Sequence, residues 1–171
     1  MSPASAAAPG TSWFALRVRS RSETLVSGLL AEKGYQSYSP GYAIERRYSD
    51  RIKRVEAALF PGYVFCRFSP AGILPVLSTP AVQKVVGIGS RPEAIPDAEM
   101  ECLRLGVRYG EGVAPCAHMR AGQRVRVRSG VLAGIEGFLV EVLKSRRLVI
   151  NADILQRAVS VEIDAANVIP V

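Results

Sequence analysis

Ala121-Gly122-Gln123-Arg124-Val125-Arg126-Val127-Arg128-Ser129-Gly130 leads into Ala133-Gly134-Ile135-Glu136-Gly137-Phe138-Leu139-Val140-Glu141-Val142, and the periodicity of these two segments decides the fold of the last third of the chain. In the first, Val125 and Val127 fall on one side of a period-two strand and Arg124, Arg126 and Arg128 on the other, so the strand buries an aliphatic edge and shows water a row of cations. Gly130, Gly134 and Gly137 are expected to supply the positive φ that a tight return requires. Downstream, Val149, Ile150, Val159, Val161 and Ile163 keep the β-branched preference for strands, as Val140 and Val142 do within the second segment.

Leu59-Phe60-Pro61-Gly62-Tyr63-Val64-Phe65-Cys66-Arg67-Phe68 is the second dense pattern. Tyr63, Phe65 and Arg67 share one face of a strand, and Val64, Cys66 and Phe68 share the other. Proline cannot donate to a ladder, so Phe60-Pro61-Gly62 leads into the strand and does not lie in its middle. Phe60 and Tyr63 either fill the core, as most single aromatics do, or meet Trp13 or Phe14 of a neighbouring strand in an exposed patch of the kind that binds partners.

That neighbouring strand is Trp13-Phe14-Ala15-Leu16-Arg17-Val18-Arg19, whose later half alternates with arginine. A helix follows: Ser20 with Glu23 makes a capping box, Leu25, Val26, Leu29 and Leu30 form its apolar face, and Gly34 stands where a left-handed C-terminal cap belongs. Residues 35–44 read as a strand bent at Pro40-Gly41. Arg46, Arg47, Arg51, Lys53 and Arg54 surround a single acid, Asp50, and such density must lie on an exposed hairpin or loop. It is either a solvated tip or an arm that faces phosphate or a protein partner, with Tyr48 suited to nucleic-acid contact. Residues 71–77 suggest a short helix, 82–88 a strand, and Gly87, Gly89 and Pro92 the turn after it. Asp97 is expected to cap a helix holding Met100, Cys102 and Leu103, with Glu99 and Glu101 near its N-terminus. Glycines and Pro115 make 111–118 the natural linker, so the expected organisation is a tail at 1–11, a domain at 12–110, and a second domain at 119–171.

With 171 residues and 49% apolar content, the chain can bury one or two small cores. A net charge of +7 leans toward a polyanion or an acidic protein surface, and a basic solvated surface gives the same number. Cys66, Cys102 and Cys116 are odd in number and form no close pair, which suits buried thiols in a reducing cytoplasm. His118 is the sole histidine, without a second ligand type beside it, so no metal site is expected. No apolar run approaches the roughly 20 residues of a membrane helix, and the Ala-, Ser- and Pro-rich residues 1–11 read as a disordered tail and not a signal peptide.

The order of these pieces resembles the NusG family of transcription elongation factors: a Trp-aromatic strand, a capped helix, a basic hairpin, Phe60-Pro61-Gly62-Tyr63-Val64, the helix start Ile95-Pro96-Asp97-Ala98-Glu99, and Gly122-Gln123-Arg124-Val125-Arg126-Val127 through Gly137. Several stretches are more similar to the specialised antitermination paralogues, including those of polysaccharide operons, than to the housekeeping factor. They are Gly87-Ile88-Gly89-Ser90-Arg91-Pro92 and Ala152-Asp153-Ile154-Leu155-Gln156-Arg157-Ala158-Val159. The housekeeping pattern has Gly-Pro-Phe at Gly130-Val131-Leu132 and an aromatic plus glycine at Leu155-Gln156, which speaks against carrying over termination factor Rho as a partner of the tail.

The resemblance implies an α+β protein: an N-terminal NGN domain with an antiparallel sheet flanked by helices, then a small SH3-like KOW β-barrel, with the barrel as the resting state of the tail. It implies action by binding, with no bond made or broken and no cofactor, in the cytoplasm and as a monomer. Trp13, Phe14, Phe60, Pro61, Gly62 and Tyr63 match the patch that docks on the clamp helices of the largest subunit of bacterial RNA polymerase, and Thr79, in Ser78-Thr79-Pro80, matches the segment that touches the second-largest subunit. Arg19 and Arg21 match positions that face non-template DNA, their other reading being plain solvation; Arg46 and Arg47 of the hairpin join them as nucleic-acid candidates. Ile154, Leu155 and Arg157 match the loop that contacts ribosomal protein S10. A KOW-bearing ribosomal or RNA-binding protein would use the same arginine strand without needing the Phe-Pro-Gly-Tyr element. An enzyme is disfavoured by the lack of a paired-carboxylate motif, a phosphate loop or a triad around His118.

Overall fold

The computed structural model describes residues 9–120, 122–142 and 145–171. Most of the expected tail, residues 1–8, lies outside the described residues, as does Ala121 of the quoted strand. Along the chain run β1 (Ser12–Val18), α1 (Glu23–Glu32), β2 (Gln36–Tyr38), β3 (Gly41–Arg47), β4 (Ile52–Ala58), β5 (Tyr63–Phe68), α2 (Ile73–Leu77), β6 (Val82–Val85), β7 (Gly87–Ile88) and β8 (Arg91–Pro92). They are followed by α3 (Asp97–Tyr109), β9 (Glu111–Ala117), β10 (Gln123–Val127), β11 (Glu136–Val142), β12 (Ser145–Ala152), β13 (Arg157–Glu162) and β14 (Val168–Pro170). The fold is mixed, with antiparallel sheets and few helices.

Contacts divide the chain into two units: the residues up to Ser39 with Gly62–Pro96, and Pro40–Pro61 with Asp97–Val171. The first is built on a sheet of order β2-β5-β1-β6. β1 and β5 pair antiparallel from Ser12 opposite Phe68 to Arg17 opposite Tyr63. Because side chains alternate, this register brings Phe14, Leu16 and Val18 together with Val64, Cys66 and Phe68 on one face, where Val26 and Leu30 of α1 and Val76 of α2 close the core. The Phe14 and Phe68 rings lie 4.6 Å apart between centroids. The opposite face carries Trp13, Ala15, Arg17, Tyr63, Phe65 and Arg67.

The expected capping box does not form. α1 starts at Glu23 with Ser22 at the N-cap, and no side chain caps it; the Glu23 carboxylate instead accepts the Gly62 N–H at 2.7 Å. Gly34 does cap the other end, at φ +87°, with its N–H on the Ala31 carbonyl and the Tyr35 N–H on the Leu30 carbonyl, the paired bonds of a Schellman turn. The apolar face is narrower than expected. Val26 and Leu30, four residues apart, are buried, whereas Leu25, a step of about 100° around the helix, is 59% exposed.

In the second unit, β3 and β4 make a two-stranded ribbon, Gly41 opposite Ala58 and Arg47 opposite Ile52. The exposed hairpin expected from its charges is therefore present, with Tyr48 and Ile52 exposed near its tip. A six-stranded antiparallel sheet follows, in the order β14-β10-β11-β12-β13-β9. Residues 111–118, expected as a linker, are corrected by β9, which pairs with β13 from Ala117 opposite Arg157. The strand-forming pressure there is the exposed edge of β13, not the local sequence. Asp97 is the first residue of α3, not its cap; Met100, Leu103 and Gly106 are its buried positions. Gly106 lets α3 approach β12 closely, since a Cβ there would strike Ile150.

β10 behaves as its sequence requires: Val125 and Val127 are buried while Arg124, Arg126 and Arg128 are exposed. Gly130 and Gly134 take the positive φ values of +86° and +88°. Gly137 does not. It sits inside β11, where a Cβ would meet the Val149 carbonyl oxygen of β12, so its role is close approach between strands.

Candidate functional site

The corner before β5 is held from two sides within the first unit. Gly62 has φ +83°, its N–H is taken by the buried Glu23 carboxylate at 2.7 Å, and its carbonyl accepts the Val18 N–H at 2.9 Å. Tyr63 follows, opposite Arg17. The Arg17 guanidinium lies 5.0 Å from the Tyr63 ring centroid, and its Nη1 donates to the Tyr63 hydroxyl at 2.8 Å. Further along the same face, Arg67 stands over the Trp13 ring at 6.0 Å.

The open aromatic patch is corrected by burial. Trp13, Phe14 and Phe60 are only 4%, 2% and 2% exposed, so most of the aromatic area expected to face a partner is inside. Phe14 points into the core under α1, and Trp13 has its carbonyl bonded by the Ile95 N–H at 2.8 Å. Gly62 is buried as well, while Tyr63 is half-buried and Pro61 exposed. Thr79 is 2% exposed; its hydroxyl accepts from Lys33 Nζ at 2.9 Å and bonds the Pro75 carbonyl at 3.2 Å. Ser78 and Pro80 on either side are exposed.

Arg19 and Arg21 are both exposed. Arg21 has φ +67°, a left-handed conformation uncommon for a residue with a Cβ. On the ribbon, Arg46 stands directly opposite Lys53 and Arg47 opposite Ile52. Among the described residues no carboxylate pairs with Arg46, Arg47 or Lys53, and like charges facing one another across a ladder repel.

In the second unit, Ile154 and Leu155 lie in a short 3-10 turn, Asp153–Leu155, with Leu155 buried and Ile154 half-buried. Gln156 follows at φ +51°, and Arg157 opens β13 and donates to the Pro61 carbonyl at 3.4 Å. The arginine row of β10 is partly neutralised. Glu136 receives Arg126 at 2.5 Å and Arg124 at 3.2 Å, and the Arg126 hydrogen bond holds its carboxyl below the usual range.

Three features were not foreseen from sequence. The spacing of Glu23 points to a cap, and its tertiary bond to Gly62 cannot be read without the turn. Lys84 stands beside Arg17 only through the pairing of β1 with β6. His118 Nε2 and Asp153 Oδ1 are 2.7 Å apart, and Glu99 of α3 accepts the Asp153 N–H at 3.0 Å. Burial pushes the Cys66 thiol up to about 12, which makes it a packing residue and not a nucleophile.

Burial also raises the Glu99 carboxyl above its ordinary 4.5. An acid that holds its proton more tightly when folded contributes stability that is fully present below the ordinary value and is lost as pH rises through the folded value. Glu99→Gln keeps the acceptor oxygen and removes the titration. Urea midpoints measured across pH should show the wild type gaining on Glu99→Gln as pH falls from neutral toward 4.5; parallel profiles would refute this role. Glu136, held low, acts in the other direction and loses its contribution only below its ordinary 4.5, so the two windows separate.

A family model described as transcription termination factor nusG matches residues 11–104. The transcription termination/antitermination protein NusG of Lactococcus lactis subsp. lactis is 30% identical over 139 residues, covering 79% of this chain and 75% of its own. That of Helicobacter pylori strain J99 is 26% identical over 123 residues, 70% of each chain. A solved structure concerned with domain interaction in Thermotoga maritima NusG superposes with a TM-score of 0.50 at 24% identity, over 92% of this chain and 96% of its own, and shares the fold. With a family model spanning more than half its length and a relative 30% identical along three quarters of that relative, the chain belongs to the NusG family of transcription termination/antitermination factors.

Proposed function

We propose that the protein binds bacterial RNA polymerase during elongation and suppresses pausing or termination by holding the clamp in one conformer. The observation that carries this reading is the Glu23-anchored Pro61-Gly62 corner, which presents Tyr63 at the edge of the β1 and β5 face in a chain of the NusG family. Trp13, Phe14 and Phe60 are buried, so Pro61 and Tyr63 are the residues of this segment that touch the clamp helices of the largest subunit. Ser78 and Pro80, flanking the buried Thr79, contact the second-largest subunit. A ligand shifts a conformational equilibrium only by its differential affinity, and about 1.4 kcal/mol in favour of the closed clamp changes the population ratio roughly tenfold.

Arg19 and Arg21 face the exposed non-template strand, and Arg46 and Arg47 lie along nucleic-acid phosphates. Arg46 and Lys53, opposed across the ribbon and without a carboxylate partner among the described residues, support this, because an anion between them relieves their repulsion. β10 to β14 form the KOW barrel, which couples transcription to translation through ribosomal protein S10 by way of Ile154, Leu155 and Arg157. The replacement of the housekeeping aromatic and glycine by Leu155-Gln156 supports the specialised branch, and Gln156 keeps the left-handed φ of +51° that a glycine there would take. The protein acts as a cytoplasmic monomer without a cofactor.

Capture of core RNA polymerase by the immobilised full chain tests the reading. Wild type should retain polymerase and Tyr63→Ala should retain about tenfold less, as for an interface hot spot, with circular dichroism showing the variant folded. Phe60→Ala is a poorer test, because Phe60 is buried and its truncation opens a cavity. Failure of wild type to bind polymerase, with binding to RNA instead, would favour the RNA-binding KOW protein.

A further inference from the structure

A second use of the β1 and β5 face follows from register alone. Arg17 pairs with Tyr63 on β5 and with Lys84 on β6. Directly opposed residues of an antiparallel pair share a face, so Tyr63, Arg17 and Lys84 stand in a row across three strands. A cavity of about 390 Å³ opens there, lined by Arg17, Tyr63, Gln83, Lys84 and Val86. Arg17 and Lys84 are both exposed, and among the described residues neither forms an ion pair. Glu23, the acid nearest in sequence to Arg17, is committed to the Gly62 N–H.

Two neighbouring cations without a counter-charge raise the energy of the free protein, and an anion seated between them removes that cost. Arg17 is already positioned for one. Its bond to the Tyr63 hydroxyl at 2.8 Å fixes the guanidinium and leaves its other N–H groups for a bidentate acceptor. We propose that Arg17 and Lys84 form a carboxylate-binding notch beside Tyr63 that takes an acidic side chain of RNA polymerase. This rests on the polymerase-binding reading above and names the chemistry of the partner at that site.

The notch disfavours a stacked nucleic-acid base for a geometric reason. A base would need the Tyr63 ring as a stacking platform, and the Arg17 guanidinium already stands over that ring at 5.0 Å. Tyrosine and arginine beside a buried aromatic band are also the composition of protein interface centres.

The test measures the affinity of the full chain for core RNA polymerase and, separately, for a single-stranded DNA oligonucleotide, at low and at physiological ionic strength. Lys84→Gln and Arg17→Gln should each weaken polymerase binding about tenfold at low salt, flatten its salt dependence, and leave oligonucleotide binding unchanged. Lys84→Gln alters an exposed position of β6 and keeps the fold testable if Arg17→Gln does not express. Wild-type binding to polymerase with both variants binding equally well would overturn the notch while leaving the polymerase reading intact. Loss of oligonucleotide binding with polymerase binding retained would make it a nucleic-acid site and overturn the proposal. No binding of polymerase by wild type would remove both readings together.

Discussion

Gly137→Ala is expected to destabilise the six-stranded sheet by about 3 kcal/mol, the upper part of the range for overpacking a rigid site. Gly137 lies within β11 opposite Val125, and an added Cβ would run into the Val149 carbonyl oxygen, with Leu148 Cδ1 a further 3.0 Å neighbour. The obstacle is backbone held in the ladder between β11 and β12, where Phe138 faces Val149, so it cannot rotate away as a flexible side chain would. Relief requires the two strands to separate and their hydrogen bonds to lengthen. Gly134→Ala is the matching control: nothing lies within 4 Å of its Cβ position, and its φ of +88° costs only about 1 kcal/mol for a left-handed residue with a Cβ. Urea unfolding followed by far-ultraviolet circular dichroism checks both. Equal midpoints for the two variants would show that strand approach at Gly137 is not tight.

The second large effect is expected at Glu23. Glu23→Ala leaves the buried Gly62 N–H without its 2.7 Å acceptor, at a cost of about 2 kcal/mol for a buried donor that loses a charged partner. The Gly62 carbonyl still binds the Val18 N–H, so the corner is released on one side only. Its consequence for function is larger than for stability, because Tyr63 is the next residue and depends on that corner for its position. Polymerase capture should fall with Tyr63→Ala and with Glu23→Ala, whereas Glu23→Gln, which retains an acceptor oxygen, should restore most of both stability and capture. Capture by Glu23→Ala at the wild-type level would show that the corner holds itself.

Val125 and Val127 against Arg124 and Arg126 were legible because a period of two has one solution when one face must be dry. Gly34 was legible because a left-handed helix end favours glycine for a local reason, and the charged ribbon because so many cations cannot share a core. Ser20 and Glu23 misled: the spacing of a capping box is short, and a buried N–H on Gly62, distant in sequence, competed successfully for the carboxylate. β9 misled in the opposite direction, since its glycines and Pro115 carry little strand preference and its pairing is supplied by β13.

The polymerase-facing reading shows the same division. Phe60-Pro61-Gly62-Tyr63 marked a corner and an aromatic strand, but exposure was beyond reach of the sequence, and it is Tyr63 and Pro61, not Trp13 or Phe60, that meet solvent. Lys84 beside Arg17 was invisible, because two strands must first pair with a third before their side chains form a row.

The sequence by itself determined what depends on near neighbours: which strongly alternating segments are strands, which face of β10 is apolar, where the first helix stops, and that a basic ribbon must project into water. Only the tertiary structure decided which strands adjoin, which carboxylate satisfies which buried N–H, and which aromatics are covered. Those outcomes depend on competition among groups far apart in the chain. A hydrogen bond or a packed ring goes to whichever distant partner the whole fold brings within reach.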